Sequence, residues 1–196
     1  MAQRIYPDHE PNEKIWEVVS SEYIIKRPWM TARKDYLIMP SGNECPEWYV
    51  LEFPEWINVI AQTKDGDFIM ERQYRPGLKR YDWEIPAGVA EEGETLLQAA
   101  KRELFEETGY GNGEWQEMMV TCANPTNTSN LCHTFLATNV ERLSAPQQET
   151  SEDISVWLMP KKELFEVLKS GGVVQSLMAA PLWRMFYDEK GSKKNE

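Results

Sequence analysis

Three glutamates, Glu103, Glu106 and Glu107, fall within the stretch RELFEETG that runs from Arg102 to Gly109. Residues three and four apart on a helix are neighbours on one face, so like charges at this spacing repel by about 0.2–0.5 kcal/mol per pair. A divalent cation would offset that repulsion. Mg²⁺ is a hard ion that takes carboxylate and water oxygens and commonly bridges substrate phosphates. The chemistry such a cluster supports is metal-assisted attack of water on a phosphoryl group. The chain has only two histidines, His9 and His133, and neither sits in a motif, so a carboxylate is the expected base.

The elements that must position these glutamates can be read around them. Thr95 and Gln98 fit a capping box, Leu97, Ala100 and Leu104 form an apolar stripe, and Gly109 suits the residue just past the helix end. The acidic face then lies beside the apolar stripe, at the edge of the core, where desolvation makes charge costly. Upstream, EWINVIAQ and DFIMERQY flank TKDG and predict a hairpin, and the Pro-Ala-Gly of WEIPAG is expected to end regular pairing. The first third reads as β, with WEVVSSEYIIK, MTARKDYLIM and EWYVLEF rich in β-branched and aromatic residues. A boundary is expected near Phe53-Pro54. Strands are predicted near 115–122, 131–138 and 154–159, helices near 161–169 and 173–186, and a frayed tail in DEKGSKKNE. Strands with interspersed helices imply α/β layers.

The bulk properties bound the answer. A chain of 196 residues with 41% hydrophobic content and eight tryptophans is expected to fold with a real core. A net charge of −11, from 32 acidic and 21 basic residues, argues against nucleic acid or an anionic membrane as partner. It does not argue against a small anion, because a bound metal and a few arginines invert the local potential. The polar start MAQRIYPDHEPNEK predicts no signal peptide, and no apolar run reaches bilayer length. Cys45, Cys122 and Cys132 lack CxxC spacing, and their odd number suits free thiols in a reducing cytoplasm.

The segment GVAEEGETLLQAAKRELFEETGY, Gly88 to Tyr110, resembles the signature of the Nudix hydrolases at each defining position: Gly88, Glu94, Arg102, Glu103, Leu104, Glu106, Glu107, Gly109 and Tyr110. Seven of these are fixed identities, and at roughly 7% usage each they coincide by chance about once in 10⁸ starting positions. The resemblance implies a Nudix-type α/β/α sandwich with a mixed β-sheet, preceded by a small N-terminal antiparallel β module. It implies Mg²⁺, with Mn²⁺ as a substitute, held by Glu103, Glu106, Glu107 and the backbone carbonyl of Ala87. Arg102 and Glu94 are then expected to orient the carboxylates.

Further features resemble the ADP-ribose pyrophosphatase branch of that family: RQYRP at 72–76 leading into WEIPAG, Pro125 placed 15 residues beyond Tyr110, and SEDISVW at 151–157. In that likeness Glu152 is the catalytic glutamate, with Glu149 and Asp153 as competitors. Arg72 and Arg75 suit a pyrophosphate because guanidinium forks meet its oxygens in pairs. Trp16 and Trp29 are candidates for stacking on a base, and His133, inside LCHTFLA, reads as a satisfied core histidine. The expected organisation is a dimerisation and substrate-pocket module over 1–53, a hydrolase domain over 54–187 and a flexible tail over 188–196. The expected activity is hydrolysis of ADP-ribose or a related ADP-sugar to AMP and a sugar phosphate, by a cytoplasmic homodimer. The alternatives are another nucleoside diphosphate sugar, such as a GDP-sugar, and a silent ligand-binding module.

Overall fold

The computed structural model describes residues 14–148 and 153–192. The chain divides into two compact units: Met1–Phe53 together with Asn124–Ser129, and Pro54–Ala123 together with Asn130–Glu196.

The first unit carries a three-stranded antiparallel sheet, β1 (Glu17–Arg27), β2 (Met30–Ile38) and β3 (Glu44–Glu52), in the order β1-β2-β3. Every residue of β1 is exposed. The segment Asn124–Ser129 docks on β3: Leu51 N–H donates to Asn127 O at 2.7 Å, Ser129 N–H to Leu51 O at 3.1 Å, and Trp48 Nε1 to Thr126 O at 3.0 Å. Pro125 belongs to this segment.

The second unit is built on a mixed sheet with the order β11-β5-β4-β10-β8, to which β6, β7 and β9 add through β5, β4 and β10. Its strands are β4 (Trp56–Thr63), β5 (Phe68–Arg75), β6 (Arg80–Glu84), β7 (Ala87–Val89), β8 (Tyr110–Gly111), β9 (Glu114–Thr121), β10 (Cys132–Arg142) and β11 (Ile154–Met159). Three helices complete the unit: α1 (Leu96–Thr108), α2 (Lys161–Lys169) and α3 (Ser176–Ser192). β4 and β10 run parallel; the other paired strands run antiparallel.

β4 shows why the sheet must be covered on both sides. Ile57, Val59 and Ala61 point to one face and pack with Leu104, Ala99 and Ala100 of α1, while Ile60 points to the other, with Leu164 of α2 and Met178 and Leu182 of α3. A strand buried on both faces reads as a near-continuous apolar run, as WINVIA does. The result is an α/β/α sandwich, as the sequence implied. Among the described residues no helix is long and apolar enough to cross a membrane.

Two local expectations change. WEIPAG does not end pairing altogether. Only Ile85 and Pro86 break the ladder, and Ala87 to Val89 pair again, with Asn58, Ile57 and Trp56 of β4. The last helix begins later than predicted and runs on to Ser192, through the start of the expected tail. The Arg184–Asp188 pair and the Lys161–Glu189 bridge to α2 support this extension.

Candidate active site

α1 forms because its ends are locally satisfied. Gln98 N–H donates to Thr95 Oγ1 at 3.3 Å, Thr95 N–H donates to Gln98 Oε1 at 2.9 Å, and Gly109, at φ 76°, donates its N–H to Phe105 O. The left-handed Gly109 is where a side chain would be strained. Within the helix, Glu103 and Glu107 are buried beside Leu104 and Ala100, whereas Glu106 is partly exposed. The acidic face therefore lies against the sheet edge rather than in solvent.

Arg102 gathers this face. Its Nε and Nη2 each donate to Glu94 at 3.1 Å, Nη2 also to Val89 O at 3.0 Å, and Nη1 lies 3.1 Å from Glu106 and 3.0 Å from Glu103. The hydrogen bonds to Glu94 are the largest cause of a raised Arg102 pKa; reciprocally, Arg102 pulls the Glu94 carboxyl below its ordinary value. Glu107 is turned onto β7, where Oε2 accepts the Ala87 N–H at 3.0 Å. The next residue, Gly88, is pressed against Glu103 so closely that a Cβ would overlap its carboxylate.

Among the described residues no three Asp, Glu, His or Cys side chains stand grouped so as to hold a metal. Arg102 draws Glu103 and Glu106 one way, and the Ala87 amide draws Glu107 another. The donor set nonetheless fits a hard divalent cation. It consists of carboxylate oxygens on one helix face beside the Ala87 backbone, and the missing Cβ of Gly88 lets the Glu103 carboxylate come up against that backbone.

The two arginines of RQYRP part company. Strand alternation places Glu71 and Arg75 on the α1 side with Ile69, and Arg72 on the α2–α3 side with Met70. Arg72 stacks on Trp83, 5.0 Å from the ring centroid, and Trp83 packs edge-on against Trp157. Arg75 instead binds Glu84 through Nε, at 2.6 Å, and through Nη2. These hydrogen bonds are the largest cause of a raised Arg75 pKa; partial burial opposes them, and Glu107 and Glu71 add to the pull.

Arg75 lines a cavity of about 250 Å³ together with Trp56, Asn58, Ala87, Gly88 and Val89. A second cavity of about 550 Å³, bounded by Leu78, Glu84, Gln175 and Leu177, shares Arg75 and Trp56 with it. The loop into α3 supplies Val174 and Gln175 to this wall, held by Val174 N–H to Asp82 Oδ2 at 3.3 Å.

The other candidates are placed as follows. Trp16, on the first unit, packs edge-on against Trp48 at 5.7 Å, and Trp29 is 82% exposed. His133 is satisfied by Glu117, at 2.6 Å, and Glu55, at 3.4 Å. Glu149 and Glu152 lie outside the described residues; Asp153 is exposed immediately before β11. Sequence reasoning missed Glu71 and Glu84, which face each other across β5 and β6 at 3% exposure each. The available signal was the alternation in RYDWE, which sets Arg80, Asp82 and Glu84 on one face of the strand.

Comparison with known proteins adds independent observations. The NUDIX domain model matches residues 54–176, and the model of the nucleoside diphosphate sugar hydrolase N-terminal domain matches residues 16–51. An ADP-sugar pyrophosphatase of Mus musculus is 30% identical over 179 residues, covering 82% of this chain and 80% of that protein. An ADP-ribose pyrophosphatase of Mycobacterium tuberculosis is 28% identical over 170 residues, covering 86% and 82%. The crystal structure of an ADP compounds hydrolase superposes with a TM-score of 0.80 at 19% identity, over 93% of this chain and 98% of that one, a likeness of fold.

Proposed function

The chain belongs to the Nudix hydrolase family and is a pyrophosphohydrolase, and on that premise we propose that it splits the pyrophosphate of ADP-ribose or a related ADP-sugar. The products are AMP and a sugar phosphate. The observation that carries the reading is the junction of α1 and β7, where Glu107 holds the Ala87 amide and Gly88 makes room for Glu103. The choice of an ADP-sugar is supported by what the mouse and mycobacterial relatives are named for.

In this reading Glu103, Glu106, Glu107 and the Ala87 carbonyl would hold Mg²⁺ or Mn²⁺, which when bound polarises the phosphoryl oxygens and acidifies water. Arg102 orients Glu103 and Glu106 from behind while Glu94 holds Arg102 in place. Arg75, at the rim of both cavities, addresses a phosphate; Arg72, stacked on Trp83, is the less direct contact. Water attacks one phosphorus, its proton passes to Glu152, and the P–O bond to the bridging oxygen breaks. That oxygen leaves with the other phosphate. The first unit, with Trp16 and an exposed β1, is assigned to homodimerisation and to the nucleoside pocket. No disulfide joins Cys45, Cys122 or Cys132, which suits a reducing cytoplasm.

A substrate panel tests this. With Mg²⁺, hydrolysis followed by phosphatase-coupled phosphate release should favour ADP-ribose and other ADP-sugars over GDP-sugars, and EDTA should abolish it. Preferential turnover of a GDP-sugar, or no turnover of any ADP-sugar, defeats the assignment. Glu152→Gln should lower kcat with little change in KM; a loss confined to KM moves Glu152 to substrate binding.

A further inference from the structure

Arg75 meets two demands at once. One edge of its guanidinium, Nε with Nη2, is closed on Glu84, a carboxylate 3% exposed. The side chain as a whole stays 44% exposed and borders both cavities. A guanidinium has a second bidentate edge, formed by its two terminal nitrogens. With the side edge turned inward onto Glu84, the end edge is the one a further anion can approach from the groove.

The setting makes a purely structural pairing a poor explanation. Glu84 sits directly across from Glu71, so two buried carboxylates share one short stretch of sheet. Buried charges that serve only stability are often replaced by apolar side chains at no loss. Glu84 also lies three residues before Ala87, on the far side of buried Pro86. One short segment thus fixes both the arginine and the backbone that Glu107 grips.

We propose that Glu84 is a positioning residue for the reaction: it anchors Arg75 by its side edge so that the end edge meets a phosphate of the diphosphate. The proposal rests on the pyrophosphatase reading above for the substrate, and on the Arg75–Glu84 geometry for the role.

The test uses the full-length protein and two readouts. In steady-state kinetics with ADP-ribose, Glu84→Gln should raise KM about tenfold or more with a much smaller change in kcat, because a phosphate clamp acts in ground and transition states alike. In an Arg75→Ala background the same change should add nothing to KM. Separately, inorganic pyrophosphate titrated into labelled protein should shift the Arg75 Nε–H NMR signal, with an affinity that falls about tenfold or more in Glu84→Gln. Arg75→Lys keeps a cation on Glu84 but has no end edge, so it should lose pyrophosphate affinity to a similar degree while keeping its melting temperature. Unchanged pyrophosphate affinity in Arg75→Lys overturns the proposal whether or not the Glu84 variant folds. So does a Glu84→Gln protein that loses stability but keeps KM. If the wild type hydrolyses no ADP-sugar yet pyrophosphate still shifts Arg75 in a Glu84-dependent way, the positioning role stands and the substrate assignment falls.

Discussion

Arg102 reaches back eight residues to bind Glu94 with two nitrogens, each at 3.1 Å, latching the loop before α1 onto the helix. The pKa of Glu94 is depressed in the fold, chiefly by this contact. A carboxylate of that kind contributes stability above its unfolded value, and the contribution drains away as pH falls through the lower folded value. Urea midpoints should therefore drop as the medium is acidified below about pH 4.5, and more gently in Glu94→Gln than in wild type. Parallel curves for the two proteins would show that the latch adds no acid sensitivity.

Gly88→Ala puts a methyl group where the Glu103 carboxylate now lies. Glu103 must move, and with it a proposed metal ligand. The expected loss in kcat/KM is about 100-fold or more, the scale of an ångström-sized misplacement. Calorimetry with Mg²⁺ should show weakened binding in the same variant. Wild-type turnover would remove Gly88 and Glu103 from the site.

Glu107→Gln preserves volume but removes charge from a buried carboxylate that also braces Ala87. Turnover should fall by about 100-fold or more, beyond what losing an outer-shell partner costs. Glu106→Gln, at the partly exposed end of the cluster, should cost kcat as heavily while leaving the melting temperature nearly unchanged, since the relieved repulsion on the helix offsets the weakened pair with Arg102. Near-normal kcat in either variant contradicts the ligand assignment.

Arg75→Ala should lower kcat/KM for ADP-ribose by about 1.5–3 kcal/mol, the range for a lost charged hydrogen bond. Arg75→Lys should recover only part of this, because an ammonium has no fork. Arg72→Ala should disturb the Trp83 contact and stability more than catalysis; a larger kinetic loss than Arg75→Ala would reverse the two roles.

β1 exposes Val18, Val19, Ile24 and Ile25, flanked by Trp16 and Trp29. A surface this apolar suits a second copy of the chain. Sedimentation of wild type should report a dimer, and Val19→Lys with Ile25→Lys should shift it toward monomer and raise KM for ADP-ribose. A monomeric wild type with the same KM as the variant ends the assignment of the first unit to homodimerisation and the nucleoside pocket.

The helix was the most legible part of the chain because its signals are local. Thr95, Gln98 and Gly109 state where it starts and stops, and the glutamate spacing states which face carries charge. The TKDG hairpin was readable for the same reason: Thr63 N–H donates to Asp67 O, and the Thr63 carbonyl accepts from Gly66 N–H. What stayed hidden depends on pairing between distant strands. Nothing in WEIPAG shows that Ala87 to Val89 will rejoin the sheet on β4, and only register opposes Glu71 to Glu84. The separation of Arg72 from Arg75 follows from strand period alone, yet it needs the strand to be known to run unbroken through Arg75.

The docking of Asn124–Ser129 on β3 has a consequence for the order in which the protein can be built. Phe53 N–H finds Ser129 Oγ 76 residues further along the chain. The N-terminal sheet leaves the ribosome before the second unit, but the strip that closes its edge comes only after about half of that unit has been made. At roughly 5–20 residues per second that is a wait of about 4–15 s, during which β3 presents an open edge to any neighbouring chain. Nascent chains of this protein should be most prone to mispairing in that interval, and least once residue 129 has emerged.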